Sequence, residues 1–542
     1  MTELNNGAFW FNMDKVWTPP QNTKVDGYKL GHLDQYVKGT KYVSSNMTPR
    51  DDRLARVIRE SFDGKMDYFG IQMLVIKLVS AWNESFFNRS KDSVMKVFKR
   101  RVKNYLGTPY GDNQIEAMGK LHDLGYLPLH IKTLPEGSRV NMKVPEFTVV
   151  NTHEDFQWLT NYCETYLSTN IWHTCNAASL SRQYASTSKK WGAITEAPYM
   201  WYGIANHCFA GRGHRGDEDG MQSGMGHLCY SVGSDTLWAI DGIEYYYGGD
   251  SDKELIACSV NAFEHATACQ RIAYYRDILG FDSHPLAAET ESIRDICENL
   301  YPKGIISYVS DSEDYYGVIS KVALGLKDVI LGREVDEMGL CKFVFRPDSS
   351  PKTPFEVIMG DKDAPINSPE YLGTLEVLWT IFGGTTKVAA NGKTYRMLND
   401  KVGIIYGECI TLELQDRVYA AMEAAGWCVS SVLFGTGSWG YLEGSSRDSF
   451  GKAIKGCHTK VDLGEAELTH LSMQKNPKTA SAFKKSAKGL LRVEEINGNF
   501  VLFDEQTPEQ EEGGALQTIL LDGGLSNLIT WTELKAKFMN SL

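Results

Sequence analysis

The chain has 542 residues, 42% of them hydrophobic and 11% aromatic, which is too long for one ordinary core and leads us to expect two or three domains. Its net charge of −12 excludes a general binder of nucleic acid or of an anionic membrane, both of which need a basic face. An anionic substrate would therefore require a local cluster of Lys and Arg. The eleven cysteines form no C-x-x-C pair, and several lie in apolar runs such as Trp427–Phe434, so free thiols in a reducing cytoplasm are expected rather than disulfides or zinc. The apolar run Tyr68–Trp82 is too short to span a bilayer and carries Lys77, and Met1–Lys15 lacks a basic-then-apolar leader, so a cytoplasmic protein without a membrane segment is expected.

In chain order, residues 1–160 mix short strands with an amphipathic helix near Ile71–Phe87 and extended runs at Leu127–Pro135 and Glu146–Asn151. Thr187–Ala197 and Gly211–Gly220 read as linker-like stretches. From about residue 305 the pattern becomes regular. Apolar strands at 305–309, Lys342–Phe345, Val402–Tyr406 and Val429–Phe434 each end in a polar or glycine-rich loop. Helical-period segments lie between them at Tyr316–Leu331, Pro369–Phe382 and Leu412–Gly426. Strand, polar loop and helix in tandem describe βα units of a parallel sheet. The expected fold is α/β, an irregular TIM-like barrel whose strand ends form the active face, with an additional α+β domain built from the N- and C-terminal parts. The expected boundaries are 1–165 for the N-terminal domain, 166–454 for the barrel, and 455–542 for a lysine-rich segment returning to the N-terminal domain.

Gly435–Gly440 (GTGSWG) follows a strand. It matches the dinucleotide fingerprint weakly, because at least three βα units precede it. Its unhindered amides suit a phosphate at a helix start as well as they suit a plain tight turn. Asp311, Asp348 and Glu408 each follow a strand; any one could be a helix cap, but three acidic strand ends beside a glycine loop suit the hydroxyls of a sugar. His265 alone is ambiguous. Lys455 to Arg492 is either a solvated face or an anion site. The residues by themselves describe an α/β enzyme that handles a phosphorylated sugar.

Many segments together resemble the nicotinate/nicotinamide phosphoribosyltransferase family, the type II phosphoribosyltransferases, from about residue 23 to 505. They include Val25–Tyr36, Tyr68–Gln72, Leu134–Val140, Trp158–Thr165, His207–Gly213, Gly233–Thr236, Ser259–His265, Val309–Tyr316, Phe345–Ser349, Leu433–Ser438 and Lys484–Leu491. The resemblance implies transfer of nicotinamide to the ribose 5-phosphate of phosphoribosyl pyrophosphate, with Mg²⁺ as cofactor, ATP as co-substrate, and a homodimer that shares its active sites. Phe209 would stack on the nicotinamide ring, with Tyr28 of the other subunit on the opposite face. Arg212 would sit beside base and phosphate, and Asp235 would accept from the carboxamide. Asp348 and Glu408 would bind the ribose, and the amides of Gly437 and Ser438 the 5′-phosphate. Arg50, Arg447, Lys455, Lys475 and Lys484 would surround the pyrophosphate, with Arg50 contributed by one subunit. His265 would be phosphorylated from ATP and oriented by Glu264 and Asp311. Arg346 joins His265, Asp311 and Asp348 in the implied catalytic set.

These residue types suit the reaction. Cleaving the bond from C1 to pyrophosphate leaves positive character on the sugar and negative charge on the leaving group, which cationic donors stabilise. The chain departs from the family pattern at Cys208, Glu408 and Trp439. A nicotinate phosphoribosyltransferase, or a catalytically silent nucleotide-binding relative, remains the alternative; Asp235 weighs against nicotinate because it would repel a carboxylate.

Overall fold

The structure, a computed structural model, describes residues 19–55, 62–348, 352–407, 410–478 and 485–542. Two sheets organise it. The first is a parallel sheet of six strands in the order Asn206–Cys208, Leu433–Thr436, Val402–Tyr406, Cys341–Arg346, Gly304–Val309 and Asn261–Ala262. Its two edges are joined through residues 232–234. Cys208 donates to the Gly233 carbonyl at 3.0 Å, and Ser234 to the Cys258 carbonyl at 3.0 Å, just before the strand at Asn261. The parallel sheet thereby curls into a barrel, as the tandem βα pattern predicts. Its strands are nearly continuous apolar runs because helices cover them; Val402–Tyr406 is buried at every position.

The second sheet has seven strands, all paired antiparallel, in the order Thr469–Ser472, Ala453–Val461, Thr40–Thr48, Phe147–Asn151, Leu129–Thr133, Gln517–Leu521 and Gly524–Leu525. It interleaves strands from the two ends of the chain, with Asn46 opposite Lys455 and Thr48 opposite Ala453.

Several local expectations are corrected. Thr187–Ala197 is not a linker: it lies largely within the 24-residue helix Trp172–Thr195. That helix is rich in Ser, Ala and Thr because it packs closely. A Cβ on Gly226 of the neighbouring helix Asp217–Leu228 would fall 2.6 Å from the Ala177 Cβ. Gly211–Gly220 likewise contains a turn of 3₁₀ helix at Gly211–Gly213 and then the start of that helix. The predicted helix Pro369–Phe382 is broken at Gly373, whose φ is +81°. The predicted strand at Val429–Phe434 begins later, at Leu433, because Val429–Ser431 forms a 3₁₀ turn whose first amide donates to Thr195 Oγ1. Among the described residues no helix is long and apolar enough to cross a membrane.

Candidate active site

The C-terminal ends of the barrel strands carry one group of predicted residues. Phe209 follows Asn206–Cys208, and its amide donates to the Thr436 carbonyl at 2.9 Å. Its ring lies over Gly435 and Gly407; a Cβ at Gly435 would come within 2.3 Å of the ring edge, and one at Gly407 within 3.3 Å. The first glycine of GTGSWG therefore makes room for an aromatic rather than cradling a phosphate. Gly437, with open space at its Cβ position, caps the short helix Ser438–Leu442. The Arg212 loop packs on that cap, since a Cβ on Gly213 would meet Ser438 Oγ at 2.0 Å. Arg212 itself is exposed, and so is Trp439, which does not crowd the turn.

Asp235 stands beside Phe209. His207 Nε2 lies 2.8 Å from its Oδ1, and Ser259 Oγ donates to the same oxygen at 2.6 Å. The His207 ring is 4.7 Å from that of Phe209, centroid to centroid. Burial opposes ionisation of Asp235, but the His207 and Ser259 hydrogen bonds and the field of Arg346 outweigh it and hold the carboxyl below the ordinary aspartate value. Both donors use Oδ1, which leaves Oδ2 to accept from a ligand. Cys208 is buried with its Sγ 3.4 Å from Thr236 Oγ1, so a thiol fills this position with a weak partner of its own.

His265 begins the helix His265–Ala273. Its Nε2 lies 3.2 Å from Asp311 Oδ1, and its Nδ1 3.9 Å from Asp348 Oδ2. Asp311 Oδ2 accepts from the Asp348 amide at 3.1 Å, so one buried carboxylate braces both neighbours. The following helix is capped by Asp314, which accepts from the Gly317 amide at 2.9 Å; Asp311 is not the cap. Arg346, buried, donates to the Phe263 carbonyl at 2.5 Å across the intervening strand. Its Nε has no hydrogen-bond partner among the described residues.

A second group gathers where the antiparallel sheet joins its ends. The Arg50 amide donates to the Phe450 carbonyl at 2.9 Å, and Arg50 Nε to the Gly451 carbonyl at 2.6 Å. This brings Arg50 to Arg447 and, along the paired strand, to Lys455. Burial lowers the Lys455 ammonium from its usual range; Glu164 opposes this, while repulsion from Arg50, Lys475 and Arg447 adds to it. Burial also lowers Arg50, with Arg447 contributing. Tyr28 belongs to this group. It is 66% exposed, its hydroxyl is 3.3 Å from Asp26, and Arg447 acts on it electrostatically. Acids stand among these cations as well: Arg447 Nη2 is 3.0 Å from Asp448, and Asp51 and Asp448 act on Arg50.

The predicted residues are thus found in two groups. Phe209, Arg212, Asp235, His265, Asp311, Arg346, Asp348, Gly437 and Ser438 belong to the barrel mouth, and Tyr28, Arg50, Arg447, Lys455 and Lys475 to the antiparallel sheet. Glu408 and Lys484 lie outside the described residues. Asp311, rather than the exposed N-cap residue Glu264, is the carboxylate within hydrogen-bond distance of His265. Sequence reasoning missed His207 and Ser259 as the residues that hold Asp235, although both fall inside segments that carried the resemblance.

No protein-family model matches the chain. It is 41% identical over 519 residues to a nicotinamide phosphoribosyltransferase from Acinetobacter baylyi, covering 96% of this chain and 97% of that one. It is 25% identical over 481 residues to a nicotinamide phosphoribosyltransferase from Mycoplasma pneumoniae, covering 83% and 92%. Among solved structures, human nicotinic acid phosphoribosyltransferase aligns with a TM-score of 0.51 at 13% identity, over 95% of this chain and 93% of that one. The nicotinate-nucleotide pyrophosphorylase from Pyrococcus furiosus aligns with a TM-score of 0.51 at 11% identity, over 99% and 97%. The structural likeness concerns the fold alone, which is α/β. The chain belongs to the nicotinamide phosphoribosyltransferase family, enzymes of the pentosyltransferase class.

Proposed function

We propose that the chain joins nicotinamide to the ribose 5-phosphate of phosphoribosyl pyrophosphate, releasing pyrophosphate and nicotinamide mononucleotide for NAD salvage in the cytoplasm. The observation that carries this reading is Asp235, ionised, fixed by His207 and Ser259, and placed beside the Phe209 ring at the barrel mouth. A flat heteroaromatic stacks on Phe209, and its carboxamide NH₂ donates to Asp235 Oδ2. The ring nitrogen of nicotinamide has a free lone pair, so positioning replaces a general base. That lone pair forms the bond to C1 as the electrons of the C1–O bond leave with pyrophosphate. Asp348 accepts from the ribose hydroxyls and faces the positive character at C1. The amides of Gly437 and Ser438, with Arg212, take the 5′-phosphate.

Mg²⁺ fits this site. It is usually held by one or two carboxylates together with substrate phosphates rather than by an all-protein cage, and the Asp348 side chain is 37% exposed beside His265. Asp348, with the substrate phosphates, would hold the ion, whose chemistry would be to neutralise charge developing on the pyrophosphate. ATP serves as co-substrate by transferring its γ-phosphoryl group to a ring nitrogen of His265, the N–P bond forming as ADP leaves; the His265 side chain is 43% exposed and its Nε2 lies 3.2 Å from Asp311.

The basic group supplies the leaving-group contacts in a homodimer. Tyr28 stands with Arg50, Arg447, Lys455 and Lys475 rather than against Phe209, so a Tyr28 that closes the neighbour's base slot carries this whole set to the neighbour. The test is mass-spectrometric detection of nicotinamide mononucleotide from nicotinamide and phosphoribosyl pyrophosphate, with and without ATP, and with nicotinate as competitor. Product formed from nicotinate as readily as from nicotinamide would overturn the assignment of the base.

A further inference from the structure

We infer that His173, His214 and Asp219 form a binding site for one divalent transition-metal ion, zinc being the best match, which clamps the Arg212 loop to the long helix Trp172–Thr195. One nitrogen from each imidazole and one Asp219 oxygen lie within 4.8 Å of one another, the only such group of potential ligands among the described residues. His173 comes from the long helix, His214 from the loop one residue past Gly213, and Asp219 from the first turn of the helix Asp217–Leu228. The three ligands thus sit on three elements that the ion would tie together.

The burial pattern points to a missing ligand. The His173 side chain is 2% exposed and that of His214 is fully buried. Neither ring nitrogen of His173 has a hydrogen-bond partner among the described residues, nor does His214 Nε2. A buried imidazole without a hydrogen-bond partner is costly, and nothing in the proposed transfer uses His173. Asp219 faces both rings: its Oδ1 is 3.5 Å from His173 Nε2, and its Oδ2 is 3.1 Å from His214 Nδ1 and accepts from the Arg215 amide at 3.1 Å. Asp217 and Asp219 in that first helical turn add negative charge, whereas Glu218 beside them is paired with Lys77.

The donor set selects the metal. Two imidazoles and a carboxylate suit zinc and its first-row neighbours, whereas Mg²⁺ prefers oxygen ligands. A tetrahedral ion bonded at about 2.1 Å keeps its ligands roughly 3.4 Å apart, close to the 3.5 and 3.1 Å that separate Asp219 oxygens from His173 Nε2 and His214 Nδ1. Three protein ligands leave a fourth position for water. The clamp matters to the reaction because Arg212 lies two residues before His214. That consequence rests on the role proposed for Arg212, while the metal site itself does not.

The experiment uses the full chain after stripping with a chelator. Zinc titration by calorimetry, elemental analysis after gel filtration, and Co²⁺ absorption in the visible region report binding. Trypsin cleavage after the exposed Arg212 and Arg215 reports the clamp. One zinc per chain is expected, with a tetrahedral Co²⁺ spectrum and slower cleavage in zinc, and with no response to Mg²⁺. His214→Ala and the near-isosteric Asp219→Asn should weaken zinc binding by more than the roughly 10–100-fold that loss of an outer-sphere partner costs, and should abolish the protection. Wild-type chain that takes up no zinc, or zinc that binds both variants as tightly as wild type, overturns the site. Zinc bound without protection at Arg212 and Arg215 overturns the clamp. Each of these results is independent of any activity measurement.

Discussion

The barrel mouth and the basic surface of the antiparallel sheet solve opposite electrostatic problems. At the mouth, Asp235 is held by His207 and Ser259, and Asp311 alone braces both His265 and the Asp348 amide. At the sheet, Arg50, Lys455 and Arg447 repel one another, and burial makes the charges of Arg50 and Lys455 costlier still. A preorganised acidic array fits a neutral base and a sugar hydroxyl, which must be oriented. A cationic array only partly offset by Asp51, Asp448 and Glu164 suits a polyanion, which only has to be attracted and released. On the proposed function, the two halves of the reaction would be built on separate sheets, and the homodimer reading turns on whether they meet within one chain or between two.

The sharpest way to break that comparison is subunit mixing. In heterodimers of Asp235→Ala with Arg447→Ala, a site made between chains leaves one of the two sites intact, and about half of the wild-type activity per dimer is expected. A chain carrying both substitutions, paired with wild type, then has no intact site. The reverse pattern would place both groups in one chain's site.

Next in size is the choice of base. A charge-assisted hydrogen bond to Asp235 contributes about 1.5–3 kcal/mol, and a like charge in the same pocket costs several more. A preference for nicotinamide over nicotinate on the order of 10³-fold is expected. Asp235→Asn should narrow it mainly by admitting nicotinate, as read from kcat/KM for both bases at saturating phosphoribosyl pyrophosphate.

Replacing Lys455 or Arg447 by Ala should remove about 1.5–3 kcal/mol of leaving-group stabilisation. That appears as a KM for phosphoribosyl pyrophosphate raised, or a kcat lowered, by roughly ten- to a hundredfold, with little change in the KM for nicotinamide. A change confined to nicotinamide would detach the basic surface from the pyrophosphate.

The smallest effect is a titration. The Asp235 carboxyl is depressed below its ordinary value of 3.8, so its stabilising contribution is fully present above that pH and is lost only as pH falls through the lower folded value. Carbon-13 NMR of the carboxyl should find a midpoint below 3.8, and Ser259→Ala should move it upward. An unmoved midpoint would remove Ser259 from the argument.

Much of the barrel was legible because buried parallel strands are apolar throughout: Val402–Tyr406 was bounded correctly from composition alone. The helix Trp172–Thr195 was not, since Ser, Thr, Gly and Lys in its second half look like a linker, while small residues there are what close helix packing demands. The acidic strand ends were visible, but their roles were not separable from capping until Asp314 proved to be the cap. Phe209, Asp235, Arg50 and Arg447 came from resemblance, whereas the lysine-rich run from Lys455 was visible in the sequence as either a solvated face or an anion site. Their division into two groups was hidden, because it depends on strands more than 400 residues apart in sequence lying side by side.

That last pairing bears on how the protein is made. The base slot needs the Phe209 amide against Thr436, and the basic surface needs Arg50 against Phe450 and Gly451. A ribosome delivering the chain from its N-terminus completes neither until most of it has emerged. Long-range pairing of this kind slows folding and leaves strand edges open meanwhile. The strands Thr40–Thr48 and Phe147–Asn151 can pair with each other early, but the outer edge of Thr40–Thr48 must wait for Ala453–Val461. During synthesis that edge is where a chaperone has most to protect.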